Sequence, residues 1–252
     1  MSNALERGLD VLEILAKSGE ARVTDIMAQL GVSRATVFRI ISTLETRGYV
    51  EHVKHKPLLR LGRVVGQLAD AVDTSELARL AAPALSDLHQ KTGETVNLAI
   101  LQRHRIIWAA AVESDFTLRH STTIGDAVPA YATAIGKALL ASLPRSTWNA
   151  LLPSEPFPAR TPNTRRTLAE LEVDVESARA RGWALDDEES ELSGVCVAAS
   201  ILGSDGRAIA AISVSSVTGR LVEKDRAELG AAVREWCARI TTEFSAEPVS
   251  GV

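Results

Sequence analysis

The sequence predicts an α+β protein in two parts. A winged helix-turn-helix head covers residues 1–62, and an antiparallel sheet flanked by helices covers residues 75–248. Three observations predict this. Residues 22–62 set two short apolar-periodic segments around Gly31 and follow them with a ribbon-like run. Beyond residue 94, strand formers at hairpin spacing alternate with segments of helical period, the pattern of helices packed on an antiparallel sheet. Charge divides the chain at the same place: residues 22–63 carry eight Lys/Arg against three Asp/Glu, a net of +5. The whole 252-residue chain is −4, so the remainder sums to −9.

In the head, Leu5, Leu9, Leu12 and Ala16 repeat at helical spacing and supply a covering helix. Val23, Ile26, Met27 and Leu30 form the first helix of a pair, which Gly31 ends. Ser33 opens the second helix as an N-cap, and Val37, Ile40, Ile41 and Leu44 form its buried stripe. Two helices joined through so tight a turn cross steeply, which lets the second enter a major groove. Ser33, Arg34, Thr36 and Arg39 lie at the start of that helix or off its apolar stripe, and are the expected DNA contacts. Tyr49, Val50 and Val53, then a tip at Lys54, His55 and Lys56, then Leu58 to Leu61 read as a β-ribbon, with Pro57 at its turn. That ribbon is a wing, and Lys54 and Lys56 are placed to hold phosphates. A basic island on an acidic chain confines DNA to the island.

Residues 63–74 follow as a helical linker, with Val64, Val65, Leu68, Ala69 and Val72 at helical spacing and only Gly66 interrupting. A second helix runs from Ser75, as its cap, to Lys91. In the body, residues 95–101 and 105–112 read as paired strands around a turn at Gln102 to His104, and residues 117–121 as a short strand. Pro129 leads into a small-residue helix over 132–143. Residues 144–166, rich in Pro and polar residues, are expected to wrap the surface. Leu168, Leu171, Val175 and Ala178 mark a helix closed by Gly182. Residues 196–202 and 208–215 form a hairpin across Gly203-Ser204-Asp205-Gly206. Residues 221–244 close the chain, with Leu229, Val233, Trp236 and Ile240 on one stripe.

Composition excludes several classes. No apolar run approaches the ~20 residues that a membrane span needs, and the charged N-terminus has no cleavage-site pattern. Two cysteines, Cys196 and Cys237, make no disulfide framework. No Cys/His spacing suits a metal, and there is no nucleophile elbow, zincin or phosphate-loop motif. The expectation is a cytoplasmic, non-enzymatic protein without cofactor or metal. Within the body, the acidic run 186–189 reads by itself as solvated loop, and Trp108 and Trp183 as core or wall.

The chain resembles the isocitrate lyase regulator (IclR) family of bacterial transcription factors nearly end to end. The segments VSRATVFRIISTLETRGYVE (32–51), TGETVNLAIL (92–101), GDAVPAYATAIGKALLA (125–141), RGWALDDEE (181–189), GVCVAAS (194–200) and DGRAIAAISVS (205–215) carry the resemblance together. It implies that the body is a GAF-like domain that binds a small effector, commonly an organic or aromatic carboxylic acid. It further implies homodimers, paired into tetramers, on a near-palindromic operator in double-stranded DNA. Carried over by position, the effector site falls on Ala134, Ile135, Asp186, Cys196, Ser213 and Ser215, with Thr117, His120 and Val128 on its variable side. Tyr131, Leu58 to Gly62 and Met27 depart from the family pattern at the pocket rim, the wing return and the helix crossing.

Overall fold

The computed structural model describes residues 4–102 and 105–246, without the side chains of 69–73 and 224. The chain forms two compact units, Met1–Asp73 and Thr74–Val252. The first contains α1 (Ala4–Ser18), β1 (Glu20–Ala21), α2 (Val23–Leu30), α3 (Arg34–Thr46), β2 (Val50–His52) and β3 (Leu59–Leu61). Its strands pair antiparallel in the order β1-β3-β2, and β2–β3 is the wing. Gly31 ends α2 with a left-handed φ of 62°, and its amide reaches the Met27 carbonyl at 3.0 Å. A residue with a Cβ is strained in that conformation.

The buried stripe of α3 is Val37, Ile40 and Ile41, as its spacing predicts. The stripe of α1 differs from the expected one. Val11 and Leu15 are wholly buried, whereas Leu5 and Leu9 are 71% and 51% exposed. The real core follows 11, 12, 14 and 15, which share only Leu12 with the expected row. The C-terminal half of α1 therefore supplies the core contacts.

Residues 63–92 form one 30-residue helix, α4 (Arg63–Thr92), where the sequence suggests two. Ser75 lies inside it rather than at a cap, because nothing near it breaks a helix. Of the linker stripe, the side chains of Ala69 and Val72 lie outside the described residues, as do residues 103 and 104 of the expected turn.

The second unit is built on a five-stranded antiparallel sheet of order β5-β4-β8-β7-β6. Its strands are β4 (Thr95–Gln102), β5 (Arg105–Val112), β6 (Ala184–Asp187), β7 (Gly194–Leu202) and β8 (Ala208–Val217). On one face, α5 (Ala134–Ala141) and α6 (Leu168–Arg181) close a core with Ala99, Ala198 and Ala211. On the other, residues 77–88 of α4 and the helix α7 (Glu223–Ala246) pack on Val96, Leu98, Val197 and Ile212. Strand alternation divides the two cores, since successive side chains point to opposite faces.

Two expectations change, and one strand is added to them. Residues 117–121 form no strand; they belong to a bent segment tied to the sheet through the Ile107–Ala127 bridge. Residues 144–166 are not only surface. Trp148, in a 3-10 turn over Arg145–Ala150, and Phe157 are both buried against the α5 side, where aromatic area outweighs the polar composition. Edge strand β6 is not anticipated from the sequence, because four residues closing on two acids carry little strand signal.

A candidate effector cavity and a candidate DNA-reading surface

In the second unit a cavity of about 420 Å³, mouth included, opens between the sheet and the start of α5. Thr133 caps that helix: its hydroxyl oxygen accepts from the Gly136 amide at 3.1 Å and its hydroxyl donates to the Pro129 carbonyl at 2.9 Å. Close packing begins here, since a Cβ on Gly136 would stand 2.3 Å from the Ala130 carbonyl oxygen. Ala134 and Ile135 line the cavity. Their first-turn amides have no partner within the helix and add the positive end of its dipole, a setting that favours an anion.

The sheet supplies the floor. Asp186, Cys196 and Ser215 lie in one cross-strand row of β6, β7 and β8, with Ser213 two residues along on the same face. Asn97 pairs with Ser213 in register, and its side-chain amide donates to Ser215 Oγ at 3.2 Å. Thr122 donates to Asn97 Oδ1 at 2.8 Å, which ties the bent segment over the sheet end. His120 joins from that segment, with Nε2 3.1 Å from the Ser216 carbonyl oxygen and Nδ1 3.4 Å from Glu191.

Asp186 is 1% exposed. Its Oδ1 accepts from the amides of Glu189 (2.8 Å) and Ser190 (3.3 Å), and its Oδ2 from the Ser190 hydroxyl (2.5 Å). Burial pushes its carboxyl above the usual range against those hydrogen bonds. Burial likewise pushes the Cys196 thiol well above its ordinary value, so it is no ready nucleophile.

In the first unit, Ser33 caps α3, its Oγ accepting from the Thr36 amide at 3.4 Å and lying 3.0 Å from the Thr36 hydroxyl. That side chain therefore serves the helix. Arg34 and Arg39 are exposed, Thr36 is half-buried, and Lys54 and Lys56 stand free at the wing tip. The Arg34 guanidinium lies 5.2 Å from the ring centre of Phe38, itself 46% exposed. On the return strand, Arg60 is held by Glu51 at 2.7 Å, so the wing's outward charge is concentrated at its tip.

Two family profiles cover most of the chain. The IclR helix-turn-helix domain matches residues 4–54, and the bacterial transcriptional regulator IclR C-terminal domain matches residues 69–242. The chain belongs to the IclR family.

HTH-type transcriptional regulator XynR of Escherichia coli K12 is 32% identical over 90% of this chain and 89% of its own length. Transcriptional repressor IclR of the same strain is 31% identical over 96% and 89%. An IclR homologue from Microbacterium hydrocarbonoxydans, solved in complex with 4-hydroxybenzoate, aligns with a TM-score of 0.61 over 96% of this chain and 99% of that one. At 22% identity that likeness shows the fold alone. IclR-family members of this kind are DNA-binding transcriptional regulators, and no described helix here is long and apolar enough to cross a membrane.

Of the residues carried over from the IclR family, the structure brings His120, Ala134, Ile135, Asp186, Cys196, Ser213 and Ser215 to one cavity. Thr117 and Val128 are not among its walls. Thr117 is exposed in a bend beside Arg220, whose guanidinium lies over the Phe116 ring and donates to the Leu118 carbonyl. Val128 is buried in the α5-side core, with its amide on the Ile106 carbonyl. Trp108 lines the cavity as a wall, and Asn97, Ser121, Thr122, Thr133 and Ser190 line it too without having been singled out from the sequence. Only Thr133 carried a legible signal, as a Thr two residues after Tyr131 at a helix start. The acidic run 186–189 is likewise not simply solvated, since Asp186 and Glu189 are both buried.

Proposed function

We propose that this chain is a transcriptional repressor whose grip on a near-palindromic operator is set by a small organic or aromatic carboxylic acid bound in the second unit. The observation that carries this reading is the open cavity itself. Helix-end amides and the Ser213 and Ser215 hydroxyls converge on it, while its own side chains leave it unfilled. A ligand-free architectural DNA protein has no use for such a space. Two further facts support the reading: a relative that covers nearly the whole chain is a repressor, and a protein of the same fold holds an aromatic carboxylate.

DNA is met by the first unit. Helix α3 enters the major groove, Arg34 and Arg39 reach base edges or phosphates, and Thr36 meets a base or its sugar–phosphate. Lys54 and Lys56 hold the backbone, and Phe38 offers an apolar contact of the kind a thymine methyl accepts. Two heads of a homodimer stand about one helical turn, ~34 Å, apart, and dimers pair into tetramers. The protein works in the cytoplasm, beside the chromosome. An effector that prefers a geometry mismatched to the half-sites lowers operator affinity, and a coupling of only ~1–3 kcal/mol changes it by one or two decades.

A thermal-shift screen with small carboxylates, followed by operator gel shifts with each stabilising compound, tests the proposal. A compound that both raises the melting temperature and shifts operator affinity supports it. A screen in which no carboxylate does either removes it.

A further inference from the structure

Phe38 stands 46% exposed on α3 and takes no place in the apolar core of the first unit. The buried stripe of that helix, Val37, Ile40 and Ile41, turns another way. The exposed residues around Phe38 are Arg34, Ala35, Arg39 and Ser42. An apolar ring set between two arginines suits a partner that is anionic as a whole and apolar at one spot. The major groove of DNA is such a partner. Phosphates line it, and the thymine C5-methyl is the apolar group that base edges present there.

Arg34 lies one helical turn before Phe38, with its guanidinium 5.2 Å from the ring centre. A guanidinium resting on an aromatic face keeps its N–H donors in its own plane, pointing sideways. Those donors form the fork that matches O6 and N7 of guanine. Successive bases of one strand stand about 3.4 Å apart along the duplex axis. A guanidinium and a ring this close together therefore meet neighbouring base pairs, and not pairs several steps apart.

We infer that Arg34 and Phe38 act as one unit that reads a two-base-pair step in each half-site. Arg34 takes a guanine, and Phe38 takes the methyl group of an adjacent thymine. The ring also holds the guanidinium over that step, which reduces the freedom lost when Arg34 docks. The inference rests on the DNA-reading surface proposed above and names what this part of it recognises.

The test uses duplexes selected from a randomised pool by the full chain and then resynthesised with altered bases. Deoxyuridine in place of thymidine removes only the methyl group, and 7-deazaguanine removes only the N7 acceptor. The selected half-sites should share a G·C pair beside a T·A pair. Deoxyuridine at that thymine should weaken wild-type binding about fourfold per half-site, the effect of one buried methyl group, and should not weaken Phe38→Ala further. 7-Deazaguanine should weaken wild type and leave Arg34→Ala unchanged. If Phe38→Ala does not melt as wild type, the wild-type comparison of the two duplexes decides alone. Equal wild-type affinity for the thymine and uracil duplexes overturns the inference and leaves DNA reading by α3 standing, as does an undiminished uracil penalty in Phe38→Ala. A Phe38→Ala chain of altered mass in solution, with wild type indifferent to the methyl group, overturns it in favour of a contact between protein chains. A pool in which no sequence is enriched overturns both readings.

Discussion

Lys137 Nζ and Glu189 Oε1 meet at 2.5 Å with side chains only 2% and 3% exposed. The pair joins α5, whose start forms one wall of the cavity, to the turn whose Glu189 amide holds Asp186. Asp174 extends it, 3.3 Å from Lys137 and itself gripped by Arg165 at 2.8 Å. A buried ion pair is weak evidence of net stability, because desolvation offsets much of its attraction. Its loss by halves is another matter.

Lys137→Met leaves the Glu189 carboxylate buried and unpaired, and should destabilise the second unit by about 3–5 kcal/mol. The double variant Lys137→Met with Glu189→Leu should recover most of that loss. Urea unfolding of the three proteins checks both statements; equal stabilities throughout would show that the pair is solvated rather than buried.

The pH dependence has a definite sign. Burial raises the Asp186 and Glu189 carboxyls, so the folded chain holds their protons more tightly than the unfolded one. Their contribution to stability is full below the ordinary carboxylate range, about pH 4, and falls as pH rises through the folded values. Asp174 runs the other way. Burial raises it, but the Arg165 hydrogen bond and the Lys137 charge outweigh burial and hold it low, so its stabilisation is lost as pH falls. Asp186→Asn removes one falling limb. Its stability relative to wild type should therefore improve as pH rises above about 4, and a pH-independent difference would contradict the assignment.

Arg39→Ala should weaken operator binding by about tenfold or more while melting as wild type, because Arg39 is exposed and serves no core contact. If it lies on a phosphate, the slope of log affinity against log salt should fall by about one. Phe38→Ala should relax sequence preference and leave that slope unchanged. Gel shifts at several salt concentrations separate the two residues, and unaltered binding by either variant removes it from the interface.

The head was legible because its signals are local. Gly31, the Ser33 cap and the 37-40-41 stripe each act within a few residues, and the hairpin at 203–206 is equally short-ranged. The α1 face was misread because two overlapping apolar rows run along that helix, and only tertiary packing selects Val11 and Leu15. The buried character of Asp186 and Glu189 depends on Lys137, about fifty residues upstream, and a run of four acids carries no trace of such a partner. The cavity residues Asn97 and Thr122 were invisible for the same reason: they meet only once β4 and the bent segment are folded together.

Ser213→Ala combined with Ser215→Ala removes two donors from the cavity and leaves the first unit untouched. Operator affinity without effector should stay within about twofold of wild type, and effector affinity should fall by at least about tenfold.

The most direct measurement is the operator dissociation constant of wild type and of that double variant, each titrated with a carboxylate that stabilises the wild-type protein. The wild-type constant should shift by one to two decades over the titration, while the variant's stays flat. A wild-type constant that does not move, or a variant that responds as fully as wild type, would contradict control of DNA binding from this cavity.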